Sequence, residues 1–100
     1  MPSPGEKLQE RIRTQKQEPD LYKVVLLNDD YTTMEFVVNV LESVFQKSPA
    51  EAFQIMMHVH THGRGIAGVY PWEVAQTKSD TVTTLARDSG FPMRAITEPA

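Results

Sequence analysis

Four aliphatic residues, Val24, Val25, Leu26 and Leu27, follow one another in LYKVVLLND and stop at Asn28-Asp29-Asp30. A short β-rich apolar run that ends in a polar turn fits a strand buried on both faces. The rest of the chain must cover it. With 100 residues, 40% of them hydrophobic, the chain holds enough apolar material for one core.

The next segment reads TTMEFVVNVLESVFQK. Thr32 and Glu35 have capping-box spacing, so a helix is expected to start there. Met34, Val37, Val38, Leu41, Val44 and Phe45 then recur at helical spacing. A second capping box follows in Ser48-Pro49-Ala50-Glu51, with proline at the first helical position. Phe53, Met56, Val59 and His60 are expected to share one face of this second helix, and Gly63 and Gly65 suit its end. IAGVY at 66–70 reads as a strand, and Pro71 opens a third helix with Val74, Val82, Leu85 and Ala86 inward. Gly90 ends that helix, and MRAIT makes a short last strand. The expected fold is α+β, in the order β-α-α-β-α-β, with a three-stranded antiparallel sheet packed on three helices. Residues 1–20 are polar, charged and bracketed by Pro2, Pro4 and Pro19. They are read as a flexible extension ahead of a folded domain at 21–100.

Composition narrows the function. The chain has no cysteine, which excludes disulfides, zinc–thiolate clusters and a cysteine nucleophile. A net charge of −3 gives no electrostatic footprint for nucleic acid or an anionic membrane. No apolar run approaches the ~20 residues that span a bilayer, and a cytoplasmic monomer is expected.

The stretch MHVHTHGRG carries all three histidines. On a helix turning about 100° per residue, His58 and His62 lie close together and His60 points roughly the other way. Three imidazoles so placed do not converge on one ion, and no HExxH pattern is present. His58 and His62 are read as solvated imidazoles near a helix C-terminus. His60 shares its stripe with Met56 and Val59, and reads either as an inert half-buried histidine or as part of a site with Asn28, Asp29 and Asp30. That Asn-Asp-Asp turn by itself is equally compatible with a simple Asx-bonded loop.

YKVVLLNDDYTTMEFVVNVL, followed by MMHVHTHGRGIAGVY and EVAQTK, closely resembles the ClpS adaptor family over residues 21–98. Thr33 stands where the family motif usually has proline, and Met93 at a position more often leucine. The resemblance implies a non-enzymatic adaptor without catalytic residues, metal or cofactor. Such adaptors bind N-degron proteins that begin with Leu, Phe, Tyr or Trp and deliver them to the N-terminal domain of a ClpA-type AAA+ unfoldase for degradation by ClpP. It further implies that Asn28, Asp30 and His60, with Asp29 beside them, hold the free α-amino group. Met34, Val37, Met56, Val59 and Met93, with Thr32 at the rim, then form the pocket for the first side chain. Glu73 and Lys78 map to the unfoldase-facing surface. Two other classes fit parts of the pattern: a His/Asp metal-dependent hydrolase and a general protein-interaction domain. The first needs three convergent ligands or a nucleophile, and the second predicts no selectivity for a free N-terminus.

Overall fold

The computed structural model describes residues 20–100. Strand β1 (Leu21–Leu27) leads through the Asn28–Thr33 loop into helices α1 (Met34–Ser43) and α2 (Pro49–His62). Strand β2 (Arg64–Pro71), helix α3 (Trp72–Asp88) and strand β3 (Arg94–Pro99) complete the order β-α-α-β-α-β. The extension read over residues 1–20 lies, except for Asp20, outside the described residues.

The run Val24–Leu27 belongs to the central strand. Its sheet order is β2-β1-β3, with β1 antiparallel to both neighbours. Val24 and Leu26 face the helices and are fully buried in the core. Around them pack Val37, Val40 and Leu41 from α1, Met56 and Val59 from α2, and Val82 and Ala86 from α3. The register to β2 shifts between Val24 and Val25, so Ala67 is an extra residue on that strand, as in a β-bulge. Arg64 on β2 and Glu98 on β3 reach over β1 on the sheet face away from the core and form an ion pair at 2.6 Å.

Local signals account for most of the helix ends. Ser48 caps α2 as expected: its hydroxyl accepts from the Glu51 backbone N–H, and the Glu51 side chain accepts from the Ser48 backbone. Gly63 closes the helix in the left-handed conformation at φ 86°, where a Cβ is costly. Gly65, expected at the helix end, lies within β2 instead.

Three expectations are corrected. The cap of α1 is Thr33, whose hydroxyl accepts from Phe36 N–H, because Thr32 is already held by Asp29. Phe53 does not share the inner face of α2: it is 56% exposed, and the buried stripe is Ala52, Met56 and Val59. On α3 the inward positions are Ala75, Ser79, Val82 and Ala86, while Val74 and Leu85 face outward. The inner stripe there holds small residues because α3 lies close over the sheet, where Ser79 donates to the carbonyl of Ala95 on β3 at 3.1 Å.

Close packing also joins α2 to β2. A Cβ at Gly65 would lie 2.7 Å from Val59 Cγ2 and 3.3 Å from His58 Cδ2. Val59 is β-branched and buried, so its χ1 is stiff and gives way only at a cost. Gly65→Ala is therefore expected to cost about 1–3 kcal/mol by overpacking, read as a lower urea midpoint. An unchanged midpoint would show that α2 moves aside without penalty.

Candidate functional site

The end of β1 and the end of α2 meet. Asn28 N–H donates to the carbonyl of Gly63, the left-handed residue that closes α2, at 2.9 Å. It brings the Asn28–Asp30 loop beside the last turns of α2, which carry Val59 and His60. The chain from Thr33 then starts α1 across the same opening, so two helix termini and one strand terminus surround a single hollow.

That hollow has a volume of about 200 Å³ and is lined by Asn28, Asp29, Asp30, Thr32, Met34, Val37, Met56, Val59 and His60. Its two halves differ in chemistry. Val37, Met56 and Val59 are buried and form an apolar floor. Asn28, Asp30 and His60 are exposed at the rim. Met34, on the first turn of α1, is a lip between them and is 47% exposed. Unbranched, flexible methionines at the lip and floor can adjust to guests of different shape.

Asp29 plays a different part from its neighbours. One carboxylate oxygen accepts from the backbone N–H groups of Tyr31 and Thr32 at 2.8 and 2.7 Å. The other accepts from the Thr32 hydroxyl at 2.7 Å. Partial burial pushes this carboxyl up, and the hydrogen bonds from Thr32 and Tyr31 together outweigh it, holding Asp29 below the ordinary carboxylate range. Asp29 thus fastens the loop, with its acceptor capacity largely committed. Among the described residues no comparable side-chain bond engages Asn28, Asp30 or His60, and all three line the opening.

Of the ten residues assigned to the two halves of the site, nine line this cavity. Met93 does not: it is 3% exposed within the core, packed with the residues that support the floor. Glu73 and Lys78 lie elsewhere, along α3, where they border a separate shallow concavity with Val74 and Thr77. Glu73 is exposed there. The Lys78 ammonium turns inward and donates to the Val44 carbonyl at 2.6 Å and to Gln46 Oε1 at 3.2 Å. It also lies 5.2 Å from the Tyr70 ring centroid and 5.8 Å from that of Phe45. A cation at the carbonyl end of α1 satisfies a terminal acceptor and the helix dipole together. Lys78 therefore braces α1 against α3.

His58 and His62 stack on each other outside the cavity, with ring centroids 4.1 Å apart and planes 13° from parallel. Among the described residues, no group of three or more His, Asp or Glu side chains is placed to hold a metal ion. Nor does the cavity carry a serine or cysteine nucleophile beside a base. The role of Gly65 in letting α2 approach β2 behind Val59 escaped the sequence reading, which had only the glycine itself as a signal.

Comparison with known proteins agrees with this layout. Residues 17–96 match the family model described as ATP-dependent Clp protease adaptor protein ClpS. A protein of Desulfatibacillum aliphaticivorans named ATP-dependent Clp protease adapter protein ClpS is 54% identical over 98% of this chain and 97% of its own length. A Myxococcus xanthus protein of the same name is 56% identical over 81% of this chain and 76% of its own. The fold also superimposes on Agrobacterium tumefaciens ClpS2 bound to L-phenylalaninamide, with a TM-score of 0.80 and 43% identity. That match covers 83% of this chain and 100% of the other. The relatives are named as adaptors rather than for a catalytic activity, and this chain belongs to the ClpS family of non-catalytic ATP-dependent Clp protease adaptors.

Proposed function

We propose that this adaptor binds proteins through a bulky hydrophobic first residue, Leu, Phe, Tyr or Trp, together with its free α-amino group. The observation that carries the reading is the two-part cavity, with exposed acceptors at Asn28, Asp30 and His60 above an apolar floor of Val37, Met56 and Val59. A relative with 43% identity is known bound to L-phenylalaninamide, which offers a free amine and a bulky side chain on one residue.

The physical logic requires both halves. An α-ammonium has one charge and three donors. The Asn28 amide oxygen and an imidazole nitrogen of His60 accept hydrogen bonds from it, and Asp30 supplies negative charge. Charge-assisted bonds net about 1.5–3 kcal/mol each, and burying a Leu- or Phe-sized side chain adds about 1.5–3 kcal/mol. Micromolar binding needs about 8 kcal/mol, so neither half reaches it alone. An internal leucine lacks the amine, and a polar first residue leaves the floor unfilled. Met34 stands half-exposed at the lip, and the resemblance to the ClpS family implies that it acts there as a gate against β-branched first residues.

The bound protein is then delivered, in this reading, to a ClpA-type AAA+ unfoldase for degradation by ClpP. The exposed face of α3 around Glu73 makes that contact, with Lys78 holding the face in place. The adaptor works in the cytoplasm as a monomer.

The test is a fluorescence anisotropy titration with peptides beginning in Leu, Ile and Ser, against the wild type and His60→Ala. The Leu peptide binds, the Ile and Ser peptides bind weakly, and His60→Ala loses at least about 10-fold, the lower end of what one charge-assisted bond is worth. Equal binding of all three peptides would leave a general interaction domain as the better description.

A further inference from the structure

We propose that Tyr31 contacts the second residue of a bound N-terminus and favours a large apolar side chain there; this rests on the reading of the cavity given above. Tyr31 is 78% exposed, although Asp30 before it and Thr32 after it both line the cavity. Its side chain therefore stands outside the hollow, at the rim. Exposed aromatic rings recur as anchors where a partner covers them.

The ring stands on a rigid base. Asp29 accepts from the Tyr31 N–H at 2.8 Å and from the Thr32 N–H and hydroxyl at 2.7 Å each. The Asn28 N–H is tied to the Gly63 carbonyl at 2.9 Å. Four hydrogen bonds thus fix the loop over Asn28–Thr32 before any ligand arrives, so contact with the ring loses little backbone entropy. The cavity, at about 200 Å³, has room for one side chain. With the first residue's side chain inside and its amine on the Asn28–Asp30 loop, the second Cα lies about 3.8 Å further on. The chain must leave past the rim, and Tyr31 is a large exposed aromatic group on the loop that forms part of that rim.

The experiment compares three ligands by anisotropy or competition: a peptide beginning Leu-Phe, the same peptide beginning Leu-Gly, and leucinamide, which has no second residue. The wild type binds the Leu-Phe peptide about 5-fold more tightly than Leu-Gly, the scale of one aromatic contact. Tyr31→Ala removes that difference and leaves leucinamide affinity where it was. Tyr31→Phe keeps the ring and keeps the preference. If Tyr31→Ala weakens all three ligands alike, the residue shapes the loop and the proposal is overturned. If it weakens none, the ring serves some other contact and the proposal is equally overturned. A wild type that binds no Leu-initiated ligand at all overturns the cavity reading, and the second-residue contact with it, which is a different result from binding that ignores Tyr31.

Discussion

A Leu-initiated peptide acetylated on its α-amine loses at least about 100-fold in affinity relative to the free peptide. Acetylation removes the positive charge and leaves one N–H where there were three. The rim offers Asn28, Asp30 and His60, all exposed and free of side-chain bonds to other described residues. Two lost charge-assisted bonds at about 1.5–3 kcal/mol each exceed the ~2.8 kcal/mol that a hundredfold change requires. The acetyl group also brings a carbonyl oxygen toward the Asp30 carboxylate, an acceptor facing an acceptor. Competition against a labelled free-amine peptide measures the loss. If the acetylated peptide competes as well as the free one, the polar rim has no part in recognition, and the apolar floor acts as an ordinary hydrophobic groove.

The second large effect concerns the fold. Leu26→Ala is expected to destabilise the domain by about 2–5 kcal/mol. Leu26 is 0% exposed and sits on the strand between both partners, directly under the helical layer. Its neighbours come from separate elements, and collapse onto the vacated volume would require two helices to move together. The 81 described residues, 20–100, give a total stability of roughly 4–12 kcal/mol at 0.05–0.15 kcal/mol per residue. One substitution thus removes a large share of it. Urea denaturation followed by circular dichroism should show a lower midpoint at unchanged slope. Leu26→Met, close to volume-conserving, should cost less than about 1.5 kcal/mol. A midpoint for Leu26→Ala equal to that of the wild type would mean that the central strand is not packed as described. Leu26 is also two residues from Asn28, so the same variant reports how far the cavity depends on the strand beneath it.

Much of this was legible in the residues. The Ser48–Glu51 capping box and the Gly63 stop rest on interactions within a few positions of chain. The strand at Val24–Leu27 was legible from its apolar run, although its ladder partners on β2 and β3 lie far along the chain. The cap of α1 was misplaced by one residue because Thr32 and Thr33 look alike locally. Only the loop geometry lets the Asp29 carboxylate claim the Thr32 hydroxyl and leave Thr33 to the helix. The inner face of α2 was drawn too wide for a similar reason. Helical spacing puts Phe53 and His60 near Met56, but spacing does not say where the core stops.

The position of Lys78 could not be read at all. Its partner carbonyl at Val44 is 34 residues away, and no pattern along the chain announces it. The same holds for Met93, which the fold places in the core rather than along the cavity. The sequence by itself determined most of the elements and their order, because those follow from local periodicity and capping chemistry, while the residues assigned to the cavity came from the resemblance to the ClpS family. Tertiary structure alone decided which side chains meet. A bond such as that from Asn28 to Gly63 joins chain segments that are brought together only when the sheet and helices have packed.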